Sequence, residues 1–175
     1  MAHYQDFERC TYFDLRDDAN LVAIGWLERG HDFPRGPVDK PFFDRLESLC
    51  QRPWPRFVFL GGHECDLCQY GGPYLGYDIF IPYRDRVFAA PAGVIHYVGD
   101  HWYRPPDEFI EAVLACPDTE SAEYGAALLA NGGPELAQDF KPNWDEEFVA
   151  QLPPPEMCGI GQCACIKLGC QLRGF

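Results

Sequence analysis

The sequence predicts an α+β domain in which a small, mainly antiparallel sheet packs against helices and a Cys/His knuckle ties the two together. Two observations carry this expectation. Strand-like apolar runs at 20–28, 57–62, 77–83 and 86–90 are interleaved with segments at helical spacing. The chain also has 175 residues, 47% of them hydrophobic and 15% aromatic, enough to bury roughly 70% of its unfolded surface around one core, and this excludes a disordered chain.

The elements follow in order. Residues 20–28 form an apolar run suited to a buried strand, and Gly30, Pro34, Gly36 and Pro37 make the loop after it. Phe42, Phe43, Leu46 and Leu49 recur at helical spacing over 40–51; Pro41 suits the first turn, and Pro53 and Pro55 end the helix. The second strand, 57–62, closes at Gly61-Gly62, and a turn-rich knuckle spans 63–72. Residues 77–83 alternate as a strand that Arg84-Asp85 turns back into 86–90, and Pro82 places this hairpin strand at a sheet edge. A short helix is expected over 92–98, broken by Gly99. Another is expected over 107–116 with Phe109, Val113 and Leu114 inward, and a last one over 121–131, closed by Gly132-Gly133. Residues 1–133 therefore read as one domain, and 134–175 as a Pro-rich extension whose Cys-rich tail docks on it.

The net charge of -13 repels phosphate backbones and anionic membrane surfaces, so nucleic acid and membrane are not expected partners; a basic protein partner is compatible with it. Residues 1–15 lack an apolar signal-peptide core, and no run approaches the roughly 18 apolar residues of a membrane span. A cytoplasmic protein is expected, with reduced cysteines whose grouping reads as metal binding before disulfides.

The first such group is Cys65-x2-Cys68, followed after 27 residues by His96-x4-His101. A C-x2-C turn sets both sulfurs on one side. Two histidines five apart lie on different faces of a straight helix, so their convergence is expected to need a break at Gly99. Thiolate and imidazole in a set of four suit tetrahedral zinc in a closed, structural site. His63, two residues from Cys65, is a competing ligand. The second group, Cys158, Cys163, Cys165 and Cys170, has symmetric 4-1-4 spacing among glycines. A second zinc site made of all four thiolates is the preferred reading; disulfides, within the tail or to Cys10, Cys50 or Cys116, and a Cu(I) or iron–sulfur centre compete with it, and the spacing matches none of the common cluster motifs. Cys10, Cys50 and Cys116 stand alone and read as buried thiols.

No nucleophile elbow, phosphate loop, dinucleotide fingerprint or H-E-x-x-H occurs, and no catalytic residue is assigned. A zinc held by only three protein ligands would activate a water, with Glu64, Asp66, Asp100 or His31 as candidate base. Three functions stay open: a non-enzymatic accessory or protein-interaction module, a metal-dependent hydrolase, and a thiol redox or metal-handling protein using the C-terminal cysteines.

The stretches Thr11-Tyr12-Phe13-Asp14-Leu15, Gly25-Trp26-Leu27, Gly30-His31, Gly62 to Cys68, Ala90-Pro91, Ile95-His96-Tyr97 and His101 to Phe109 together resemble an uncharacterised family of small bacterial proteins. The resemblance spans about 10–131. It implies a bacterial origin and a recurring Cys/His arrangement, and no activity.

Overall fold

The computed structural model describes residues 3–13, 20–54, 63–69, 72–132 and 136. Among them the chain forms β1 (Leu21–Ala23), α1 (Lys40–Gln51), β2 (His63–Glu64), β3 (Tyr74–Leu75), β4 (Asp78–Tyr83), β5 (Arg86–Pro91), α2 (Val94–His101), α3 (Asp107–Ala115) and α4 (Ala122–Gly132). The expected strand over 57–62 lies outside the described residues.

The main sheet has the order β1-β5-β4. β4 and β5 form the expected hairpin, antiparallel over six residue pairs from Asp78↔Pro91 to Tyr83↔Arg86, whereas β1 joins β5 in parallel over three, so antiparallel pairing dominates. Arg84 turns the hairpin with φ +55°, a left-handed twist that two-residue hairpin loops need. β4 is the edge strand among the described residues, which is where Pro82 costs no ladder bond.

β1 is shorter than its apolar run. The chain leaves the ladder at Gly25, where φ is +71° and a Cβ would come within 2.8 Å of Val94 Cγ2. Ile24, Trp26 and Leu27 stay buried beyond the end of β1; the Ile24 backbone N–H and the Trp26 indole N–H both donate to the Ala89 carbonyl. On its outer side β1 meets the N-terminal segment: Phe7 and Cys10 donate to the Ala23 and Leu21 carbonyls, and Ala23 donates to Glu8.

Both faces of the sheet are covered. Strand alternation puts Ile81 with Phe88 on one side and Phe80 with Ala89 on the other. Phe88 meets Phe109 of α3 edge-on at 5.6 Å, and Phe80 meets Phe13 of the N-terminal segment at 5.0 Å. That is why these strands are nearly continuous in apolar character. α1 buries Phe42, Leu46 and Leu49 as its spacing requires, and Phe43 is half-buried. α3 buries Phe109, Ala112 and Val113, but Leu114, expected inside, is 51% exposed. At 100° per residue, Leu114 has rotated off the stripe that Phe109 and Val113 define. The hydroxyl of Ser121 accepts from Tyr124 N–H to start α4, and the buried Tyr124 hydroxyl lies between the carbonyls of Phe80 and Trp54. No helix among the described residues is long and apolar enough to cross a membrane.

Candidate metal centre

The knuckle sits where β2 hands the chain to β3. Among the described residues the ribbon has two antiparallel pairs, His63↔Leu75 and Glu64↔Tyr74, and residues 65–68 form the turn that begins its connection. Gly72 crosses so close to this turn that a Cβ there would meet the Cys65 Cβ at 2.3 Å and the Cys65 carbonyl oxygen at 2.9 Å, so only glycine fits. Arg29, in the loop after β1, clamps the turn from outside. Its backbone N–H donates to Asp66 Oδ2 at 3.1 Å, and its guanidinium donates to the carbonyls of Asp66 at 2.7 Å and Cys68 at 3.0 Å.

α2 supplies the histidines, and here the structure corrects an expectation. The helix does not break at Gly99; it continues to His101 and ends at Trp102, whose φ of +60° is left-handed and whose N–H donates to the Tyr97 carbonyl. A glycine inside a helix costs about 1 kcal/mol relative to alanine, which packing of this buried helix offsets. Convergence comes from side-chain direction. Cβ bonds in a helix tilt toward its N-terminus, so the imidazole of His101 in the last turn reaches back toward His96. The rings meet edge-on at 4.8 Å.

The four donor atoms of Cys65, Cys68, His96 and His101 all lie within 4.8 Å of one another. The two His Nε2 atoms are 3.1 Å apart; Cys68 Sγ is 3.3 Å from His96 Nε2 and 3.4 Å from His101 Nε2, and Cys65 Sγ is 3.4 Å from His101 Nε2. A tetrahedral zinc with bonds of about 2.3 Å to sulfur and about 2.0 Å to nitrogen places S and N donors roughly 3.5 Å apart and two N donors roughly 3.3 Å apart. The cluster matches those edges with a slight contraction. Cys65, Cys68 and His96 are buried and His101 is half-buried. Behind His96, its Nδ1–H donates to Asp100 Oδ2 at 2.7 Å, with both side chains at most 7% exposed. This bond orients the ring and turns Nε2 toward the cluster, as carboxylates behind metal-ligating histidines do.

The thiols differ in chemistry. Burial pushes Cys65 up, but hydrogen bonds from His101 and His96 outweigh it and bring the group down to about 6. Burial alone dominates at Cys10 and Cys116, pushed up to about 11 and about 12. Those two are inert core thiols, as is expected of isolated buried cysteines, whereas Cys65 offers a thiolate near neutral pH. Burial lowers His96, and the Asp100 and Cys65 hydrogen bonds more than offset it, raising the group to about 9. An ion bound at Nε2 displaces that proton.

All four sequence-chosen ligands thus come together. The competing ligand His63 contributes backbone to β2, and its side chain lies outside the described residues; so does the whole Cys158, Cys163, Cys165 and Cys170 group. Of the candidate bases, Asp100 is committed to His96, Asp66 to Arg29, Glu64 is exposed, and His31 stands apart from the cluster with Glu28 and His3. The structural roles of Asp100, Arg29 and Gly72 were not read from sequence. The i, i+4 spacing of His96 and Asp100 on a helix is a signal that identifies Asp100. No local pattern could mark Arg29, whose partners lie 37 and 39 positions away.

No curated protein and no solved structure matches the chain. A family model described as a domain of unknown function (DUF7919) matches residues 2–114, from the N-terminal segment through the knuckle and α2 into α3. The chain belongs to the DUF7919 family.

Proposed function

We propose that this is a zinc-binding protein in which Cys65, Cys68, His96 and His101 hold a structural ion, and that it serves as a non-enzymatic, cytoplasmic accessory or protein-interaction module. The observation that carries the zinc reading is the tetrahedral edge lengths among four buried or half-buried soft donors. With all four positions filled by protein, no place is left for an activated water, which favours a structural ion over a catalytic one. The ion would cross-link the β2–β3 ribbon to α2. The net charge of -13 steers a basic protein surface toward the module and repels nucleic acid. Leu136, fully buried in the core, supports an extension that docks on the domain.

The test is elemental analysis of the protein purified without chelators, beside a Cys65→Ser, Cys68→Ser double variant. One zinc per chain, lost in the variant together with folding of the ribbon, is the expected result. A metal-free protein that keeps its fold would sink the reading. A second zinc that survives the double variant and disappears in Cys163→Ser, Cys165→Ser would assign the C-terminal cysteines to metal.

One observation favours the metal-dependent hydrolase as a second reading. A groove beside the knuckle is lined by Arg29, Glu64, Asp66 and the two thiols, and the buried Asp66 Oδ1 has no hydrogen-bond partner among the described residues. Cobalt substitution separates the readings. A four-coordinate spectrum indifferent to added anions supports the closed site, and an anion-dependent spectrum supports the open one.

A further inference from the structure

A second group of metal-ligating side chains lies apart from the Cys/His cluster, and the local backbone explains how it is assembled. Glu28 to His31 form a tight turn in which His31 N–H donates to the Glu28 carbonyl at 3.3 Å. Gly30, third in the turn, has φ +95°, and no atom lies within 4 Å of where its Cβ would be. Glycine is therefore required there by conformation, not space. The turn sets Glu28 and His31 side by side, with His31 Nε2 3.9 Å from Glu28 Oε2.

The N-terminal segment brings the third member. Its hydrogen bonds to β1 and the bond from Gly25 N–H to Asp6 Oδ1 fix it alongside residues 21–25. His3 Nδ1 then donates to the Trp26 carbonyl at 3.0 Å, which leaves the lone pair on Nε2. The His3 ring stacks on His31 at 3.9 Å with 23° between planes. One donor atom from each of His3, Glu28 and His31 lies within 4.8 Å of the others.

We propose that His3, Glu28 and His31 form a second, open site for a divalent transition-metal ion of the zinc, cobalt and nickel class. Two imidazoles and a carboxylate suit these borderline ions and disfavour calcium and magnesium, which want oxygen only. Three protein donors leave room for water, in contrast to the closed set of four. The bond from His3 to a backbone carbonyl is the usual support of a metal-ligating imidazole. Coordination by both rings needs His31 to turn edge-on, and its 53% side-chain exposure gives it the room. Arg29, inside the same turn, does not compete, because its guanidinium is committed to the knuckle carbonyls.

The test uses the full chain with zinc already bound, titrated with Co2+ and followed by absorption spectroscopy and calorimetry. The comparison proteins are a His3→Ala, His31→Ala double variant and Glu28→Gln. The wild type is expected to take up one equivalent of Co2+ with ligand-field absorption and no thiolate-to-cobalt charge-transfer band. The double variant should bind it at least about tenfold more weakly, since even an outer-shell partner contributes that much, with its zinc content and circular dichroism unchanged. Glu28→Gln should weaken it by a smaller factor. Cobalt uptake only with a thiolate band, or thiolate-free uptake of equal affinity in the double variant, would overturn the proposal.

Discussion

The β4–β5 hairpin and the β2–β3 ribbon are both antiparallel, and different forces hold them. The hairpin pairs six residues, and Ile79, Phe80, Ile81, Val87, Phe88 and Ala89 within it are at most 2% exposed. Each large side chain there stabilises the fold by about 1.5–3 kcal/mol through burial. Among the described residues the ribbon pairs two residues per strand, and what it brings inward is two thiols facing two imidazoles. Burying four such donors costs free energy unless something satisfies them. The hairpin is a product of the hydrophobic effect, and the proposed ion would hold the ribbon. An apolar pattern and a donor pattern thus do the same structural job in one domain, and each fails under different conditions.

The largest expected effect separates the two regions directly. On the proposed zinc reading, stripping the ion with a strong chelator removes an apparent binding free energy that runs to about 10–16 kcal/mol in small structural zinc sites. Hydrogen exchange in the ribbon and in α2 should then rise sharply while the β4–β5 ladder stays protected. Equal exposure of both regions would show that the ion supports the whole core. Uniform retention would show that the ribbon stands without it.

The converse lesion belongs in the sheet. Phe88 is fully buried between α3 and the N-terminal segment, so Phe88→Ala should cost about 3–5 kcal/mol in denaturant unfolding. Zinc stoichiometry of the folded fraction should not change. A Phe88→Ala protein that lost its metal would refute the separation of the two regions.

The same contrast explains how much was legible in the sequence. The hairpin, α1 and the hydrophobic stripe of α3 at Phe109 and Val113 were readable because burial imposes a period. The clustering of Cys65, Cys68, His96 and His101 was readable because the chemistry of metal donors restricts residue type and spacing. What escaped depends on neither. β1 ends early because Gly25 takes a positive φ against Val94, a partner 69 positions away. The helix through Gly99 ends instead at a tryptophan in the left-handed region, where propensity would place glycine or asparagine. The turn that joins Glu28 to His31, and the N-terminal segment that carries His3 to them, are tertiary placements with no local signature.

Asp78 gives a smaller test inside the sheet. It opens β4, it is 2% exposed, and its Oδ1 has no hydrogen-bond partner among the described residues. Burial raises its carboxyl from 3.8 to about 7. The folded state therefore holds this proton where the unfolded chain has released it. Stability from this group falls as pH rises from about 4 to about 7, and the penalty is complete above that. Asp78→Asn cannot ionise and should be more stable than wild type at pH 8 by a few kcal/mol, with the gap closing toward pH 4. Urea unfolding of both proteins across that range is the measurement. A gap that does not change with pH would mean that Asp78 is ionised in the fold.

The smallest effect concerns the partner behind the centre. Asp100 accepts from His96 Nδ1 at 2.7 Å. Replacing it alters orientation and basicity of one ligand without removing any. Asn offers an oxygen that can still accept the Nδ1–H bond, so Asp100→Asn should lower zinc affinity by about tenfold, and Asp100→Ala, which has no acceptor, by closer to about a hundredfold. Competition against a chromophoric chelator reads both. The ordering is the informative part. If Asn and Ala fall together, the charge of Asp100 is what matters, acting on the basicity of His96. If Asn keeps near wild-type affinity, the bond geometry is what matters. If neither changes affinity while both lower the unfolding midpoint of the metal-free protein, Asp100 serves the packing of α2 alone, and His96 is not held for metal.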